Sequence, residues 1–208
     1  MHLAVFGGSF DPPHNGHLAL CLFARELLAL DRLIISPSNN PFKRKSVTGD
    51  LHRQRMVELL ASEINLIGSC CDVSDWELQK QQPSYTIDLI RHVHSLYPHD
   101  KLTLLVGEDS FAEFPSWKEY ESLFTLCDIV VFRRASFEPH VAVAGGTVPT
   151  RFIPFNAPVS STEIRVLAAS GASISRMVPA SIARYIAEQA LYREPPFTST
   201  PALTRQES

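Results

Sequence analysis

A chain of 208 residues, 45% of them hydrophobic, can bury the core of one α/β domain without metal or disulfide staples. Its net charge of −3 lacks the basic excess of a dedicated nucleic-acid binder, and no apolar run approaches the roughly 18 residues of a membrane span. The four cysteines, Cys21, Cys70, Cys71 and Cys127, form no C-x-x-C pair and no secretion-type leader opens the chain, so reduced thiols and a cytoplasmic setting are expected.

The first informative stretch is Val5 to His17, which runs Val-Phe-Gly-Gly-Ser-Phe-Asp-Pro-Pro-His-Asn-Gly-His. A short apolar run, Leu3 to Phe6, reaches Gly7 and Gly8 and turns through Asp11-Pro12-Pro13. It then feeds an apolar-periodic segment from Leu18, a pattern of strand, loop and helix. Unpaired N–H groups and the dipole at such a helix start favour an anion such as phosphate. With a helix beginning near Pro13, His14 and His17 share a face of its first turn and flank that anion. Two plainer readings compete: Gly7-Gly8 as an ordinary tight turn, and His14 with His17 as a metal pair. No Cys or further His lies nearby to complete a ligand set, so no metal site built by the protein is expected.

Leu18 to Leu30 is expected to pack Leu20, Phe23, Ala24, Leu27 and Leu28 against a sheet, and Leu33 to Ile35 to form a second, parallel strand. The loop after it carries Asn39 and a basic cluster at the strand edge where doubly wound sheets bind ligands; for Lys43, phosphate contact and solvated loop both fit. An amphipathic helix follows over Leu51 to Ile64, then a strand at Cys70 to Val73. Ser84 is the expected cap of a helix running to about Tyr97, with Thr86 in its first turn. Leu102 to Val106 is the central strand. It stops at Gly107-Glu108-Asp109, where Asp109 can accept from a ribose hydroxyl or cap the next helix. Trp117 is either core or a flat face for an aromatic ring.

Ile129 to Phe132 is a further strand, residues 134–149 are irregular, and Arg151 to Pro154 is an edge strand. Ser160-Ser161-Thr162-Glu163 with Arg165 opens a helix, as a capping box or as a second anion cradle. Gly171 ends it, and Val178-Pro179 starts a last helix that buries Ile182, Tyr185, Ile186 and Leu191. The expected fold is α/β: a doubly wound parallel sheet with a small C-terminal helical part. It forms one domain over residues 1–192, and residues 193–208 form a disordered tail.

The run His14-Asn15-Gly16-His17 after a glycine turn resembles the His-x-Gly-His signature of the nucleotidylyltransferase superfamily, whose members transfer a nucleoside monophosphate from a triphosphate. Ser84-Tyr85-Thr86, Gly107-Glu108-Asp109, Phe114-Pro115-Ser116-Trp117 and Ser160 to Arg165 extend the resemblance to the bacterial nicotinate mononucleotide adenylyltransferases, over residues 1 to 192. That resemblance implies a Rossmann-like nucleotidylyltransferase fold. It also implies adenylyl transfer from ATP, with Mg²⁺, to nicotinate mononucleotide, giving deamido-NAD and pyrophosphate in NAD biosynthesis. By position it implies His14, His17 and Arg165 as catalytic residues. Gly7, Gly8, Ser9, Phe10, Gly107, Asp109, Ser160, Ser161 and Thr162 would surround ATP. Asn39, Lys43, Thr86 and Trp117 would surround the pyridine nucleotide, Trp117 by stacking on its ring.

Two positions depart from the family pattern: Asn40-Pro41-Phe42-Lys43 stands where many members have Pro-Pro-His-Lys, and Lys118 stands where many have an aromatic residue. Rival readings are an adenylyltransferase for phosphopantetheine or the amide mononucleotide, a non-catalytic nucleotide sensor, and a nucleic-acid-binding module. Phe114 to Trp117 argues against phosphopantetheine, the retained histidines and Arg165 against a sensor, and the acidic balance against nucleic acid. No nucleic-acid or membrane partner is expected, and the oligomeric state is left open.

Overall fold

The computed structural model describes residues 1–39, 47–80, 82–133 and 150–193. Lys43, the irregular segment 134–149 and the tail from 194 onward lie outside them. Strands β1 (His2–Gly8), β2 (Arg32–Pro37), β3 (Cys71–Val73), β4 (Lys101–Gly107), β5 (Asp128–Arg133) and β6 (Thr150–Pro154) form one parallel sheet in the order β3-β2-β1-β4-β5-β6. Helices α1 (Asn15–Leu28), α2 (Asp50–Asn65), α3 (Thr86–Leu96), α4 (Glu108–Ala112) and α5 (Tyr120–Leu126) intervene, and α6 (Ser161–Ala169) and α7 (Ala180–Glu188) follow the last strand.

Alternating residues of each strand enter two separate cores, which is why the strands are apolar throughout. From β1, Ala4 and Phe6 face the core shared with α1, α2, α6 and α7, while Leu3 and Val5 face the core shared with α3, α4 and α5. The sheet is therefore covered on both faces, as the doubly wound reading requires. The strand order reverses direction between β1 and β4, with Phe6 opposite Leu105, and a crevice opens beyond their carboxyl ends. Both strands end in glycine, Gly8 and Gly107.

Local details differ from the sequence expectation at three places. Helix α1 starts at Asn15, and it buries Leu20, Cys21 and Ala24 rather than Phe23 and Leu27, which are each 39% exposed. The small Cys21 and Ala24 let the helix approach the sheet, and Phe23 instead roofs Phe155 and Phe132. Ser84 does not cap α3. It is buried, its hydroxyl donates to Glu77 Oε2 at 2.6 Å, and Tyr85 takes the N-cap position. Asp109 is not a cap either, because Gly107 holds that place and Asp109 lies in the first turn of α4. All four cysteines are free, and burial pushes the Cys71 and Cys127 thiols up to about 12.

Candidate active site

The loop leaving β1 is folded around Phe10, a buried residue with φ of 48° whose ring meets Phe6 at 5.5 Å and His17 at 5.0 Å between centroids. A methyl on Gly8 would lie 2.9 Å from that ring, so a side chain there has no room. One on Gly7 would meet nothing within 4 Å, and Gly7 lines the open crevice instead. The Asp11–Pro12 peptide is cis. Asp11 is buried: its Oδ2 accepts from the Val47 and Thr48 N–H groups at 2.7 and 3.4 Å, and its Oδ1 accepts from the Tyr192 hydroxyl at 2.7 Å.

His14 is the N-cap of α1 and His17 is its third residue. The His14 N–H donates to His17 Nδ1 at 3.1 Å, which places the His17 proton on Nε2. The two rings stack with centroids 3.7 Å apart. His14 is buried, its Nδ1 has no hydrogen-bond partner, and burial depresses its pKa to about 4, so the ring is neutral at pH 7. Gly16 is fixed by the same packing, since a methyl there would sit 3.0 Å from the His14 ring.

The start of α6 is bound directly to this loop. Ser160 caps the helix by accepting from the Glu163 N–H at 3.2 Å, and the Ser161 hydroxyl donates to the Pro12 carbonyl at 2.8 Å. Arg165 donates through Nη1 to the Asp11 carbonyl at 2.7 Å and through Nη2 to Thr162 Oγ1 at 3.1 Å. Both acceptors are neutral oxygens, and among the described residues no carboxylate pairs with this guanidinium. Asn15 adds a third tie, its N–H to the Met177 carbonyl and its amide to the Arg176 carbonyl.

These segments enclose one cleft of about 540 Å³. Its lining joins the loop residues Gly7 to Phe10 and both histidines to Gly107 and Asp109 at the end of β4. Ser160, Ser161, Thr162 and Arg165 complete the α6 side. Thr86, the first residue of α3, and Trp117 line the other end. Trp117 is half-buried, with its ring 4.9 Å from that of Phe114, so it is neither fully core nor detached. Asn39 does not line the cleft. Its side-chain amide donates to the Lys80 and Gln82 carbonyls at 3.5 Å, bracing the loop before α3. Among the described residues no three His, Cys, Asp or Glu side chains are grouped to hold a metal ion, and no helix is long and apolar enough to cross a membrane.

Two supporting residues escaped the sequence reading. Arg53, 2% exposed on α2, donates to the Ser9 and Ser38 carbonyls at 2.9 Å each and pairs with Asp50, so it ties the β1 loop to the β2 loop. Its spacing with Met56, Val57 and Leu60 on the buried stripe was the available signal. Glu77, 3% exposed, lines the cleft and accepts from Ser36, Ser84 and the Asn39 N–H. Nothing in its polar, non-periodic loop marked it.

Residues 5–167 match the cytidylyltransferase-like family. Among curated relatives, a Pelodictyon phaeoclathratiforme protein named "Probable nicotinate-nucleotide adenylyltransferase" is 58% identical over 196 residues, covering 92% of each chain. A Chlorobium limicola protein of the same name is 54% identical over 199 residues, covering 93% of this chain and all of the other. The solved structure of Plasmodium falciparum nicotinic acid mononucleotide adenylyltransferase complexed with NaAD superposes with a TM-score of 0.78 at 20% identity, covering 92% of this chain and 97% of that one. The same enzyme complexed with APC gives 0.75 at the same identity, covering 92% and 96%. The chain thus belongs to the cytidylyltransferase-like family, among the nicotinate-nucleotide adenylyltransferases.

Proposed function

We propose that residues 1–192 form one catalytic unit that transfers the adenylyl group of ATP to nicotinate mononucleotide, releasing deamido-NAD and pyrophosphate. The observation that carries this reading is the direct bonding of the α6 start to the histidine loop, through Ser161 to Pro12 and Arg165 to Asp11, around a single cleft. The attacking atom is a phosphate oxygen of the mononucleotide, whose second pKa of about 6 leaves it mostly dianionic at neutral pH. It bonds to the α-phosphorus of ATP as the bond to the bridging oxygen of the β-phosphate breaks, and pyrophosphate departs with that electron pair. No general base and no covalent enzyme intermediate are required.

What the reaction needs is alignment and relief of repulsion between anions. The neutral His14 and His17 rings act as Nε2–H donors, the N-terminus of α6 adds backbone donors, and Arg165 supplies positive charge. Gly7, Gly8, Ser9, Phe10, Ser160, Ser161 and Thr162 surround the triphosphate, and Gly107 and Asp109 the adenosine. Thr86 and Trp117 hold the pyridine nucleotide, joined by Lys43. Asn39 acts there through the loop it braces. Membership of the family supports a divalent cation with ATP, and we infer Mg²⁺.

The test is product formation on mixing protein, ATP, Mg²⁺ and nicotinate mononucleotide, with chromatographic detection of deamido-NAD alongside pyrophosphate. No product would overturn the reading, and equal efficiency with the amide mononucleotide would overturn the choice of the acid.

A further inference from the structure

We propose that Tyr192 is a positioning residue of the active site, holding the histidine loop in register with residues 47 and 48, just before α2, through the Asp11 carboxylate. The inference rests on the adenylyl-transfer reading for its kinetic test. Tyr192 lies beyond residues 5–167, the span shared with the cytidylyltransferase-like family, so nothing in that match assigns it a part in the site.

Three donors converge on the buried Asp11 carboxylate. The phenol of Tyr192 lies 2.7 Å from Oδ1, while the N–H groups of Val47 and Thr48 lie 2.7 and 3.4 Å from Oδ2. Burial pushes the phenol's pKa up, so it stays a donor throughout the working pH range. Asp11 is 3% exposed, which leaves little water to replace a lost donor. Its own carbonyl is the acceptor for Arg165, the next carbonyl is the acceptor for Ser161, and His14 follows three residues on. Val47 also lines the cleft. One carboxylate is thus the joint between the triphosphate cradle, residues 47 and 48 before α2, and the last described turn of the chain.

A second tyrosine supplies the control. Tyr185 on α7 also hydrogen-bonds through its hydroxyl, 2.9 Å from His52 Nδ1, but it contacts neither Asp11 nor the cleft. Tyr192→Phe removes only the hydroxyl. It is expected to lower kcat roughly tenfold at a temperature where circular dichroism shows full folding, because small misplacements of reacting groups are costly. Tyr185→Phe is expected to stay within about twofold of wild type, as a surface-side hydroxyl remote from the chemistry should. Amide exchange over residues 47 and 48 gives a readout independent of catalysis, with roughly tenfold faster exchange expected in Tyr192→Phe.

A Tyr192→Phe enzyme with wild-type kcat and unchanged exchange would overturn the inference, and so would an equal kcat loss in Tyr185→Phe. If the wild type makes no deamido-NAD, the functional reading fails and the exchange measurement alone decides the role of Tyr192.

Discussion

Burial of the His14 ring has a cost that depends on pH. The ring has a pKa of about 4 in the folded protein against 6.5 for an unperturbed imidazole, with burial as the cause. Between those values the unfolded chain binds a proton that the folded chain refuses, so stability falls as the pH drops from 6.5 to 4. The loss attributable to this one ring is about 3 kcal/mol. Denaturant unfolding of the nucleotide-free protein at a series of pH values is expected to show that slope. His14→Asn is expected to flatten it, and identical slopes in the two proteins would contradict the assignment. In His17 the Nδ1 atom is spent on the His14 N–H, which leaves Nε2 as the protonated nitrogen. His17→Ala is expected to lower kcat by roughly two to three orders of magnitude, the usual loss for one transition-state donor, with the circular dichroism spectrum unchanged. A variant within a few-fold of wild type would remove His17 from the mechanism.

At the level of elements, the site exists because β1 and β4 end side by side in residues without side chains. A Cβ on Gly107 would meet nothing within 4 Å, so a larger residue there fits the fold while filling the cleft. Gly107→Val is expected to raise the KM for ATP by about tenfold, equivalent to ~1.4 kcal/mol, with little change in Tm. A Tm collapse at unchanged KM would assign the glycine to folding instead. Arg53 on α2 behaves in the opposite way. Its guanidinium, 2% exposed, satisfies carbonyls on the loops after β1 and β2. Arg53→Met is expected to cost about 1–3 kcal/mol in urea unfolding, because it removes hydrogen bonds to two part-buried carbonyls that link the loops.

Over the whole molecule, the cleft is closed by segments from both ends of the described chain. The contacts from Ser161 to Pro12, Arg165 to Asp11 and Tyr192 to Asp11 span 149, 154 and 181 residues. A ligand that bridges such segments stabilises the fold as a unit. At about 100 times Kd, a non-hydrolysable ATP analogue with Mg²⁺ adds about 2.7 kcal/mol, which for a domain of this size raises Tm by about 5–10 °C. Thermal scans with and without the analogue check this. An unshifted Tm would mean that the two ends do not share a triphosphate site.

Much of this was legible from the chain alone, for a local reason. Apolar periodicity, glycine at strand ends and hydroxyls before helices act within a few residues, so they mark the strand-loop-helix at the start, the central strand Leu102 to Val106 and the Ser160 cap. Motif order then carried the family. Other features depend on partners far away in sequence. Periodicity marked α1 as a helix, but which arc is buried depended on how closely Cys21 and Ala24 let it approach the sheet. Ser84 had the chemistry of a cap, and Glu77 across the fold claimed its hydroxyl instead. Arg53 looked like a surface charge because its partners are main-chain carbonyls, which carry no signature in side-chain identity. The sequence by itself determined the strand-loop-helix at the start and the motif order that marks the family. Only the tertiary structure decided that Asp11 joins the opening loop to Arg165 and Tyr192, because sheet order and helix packing, not local propensity, bring those segments within hydrogen-bonding distance.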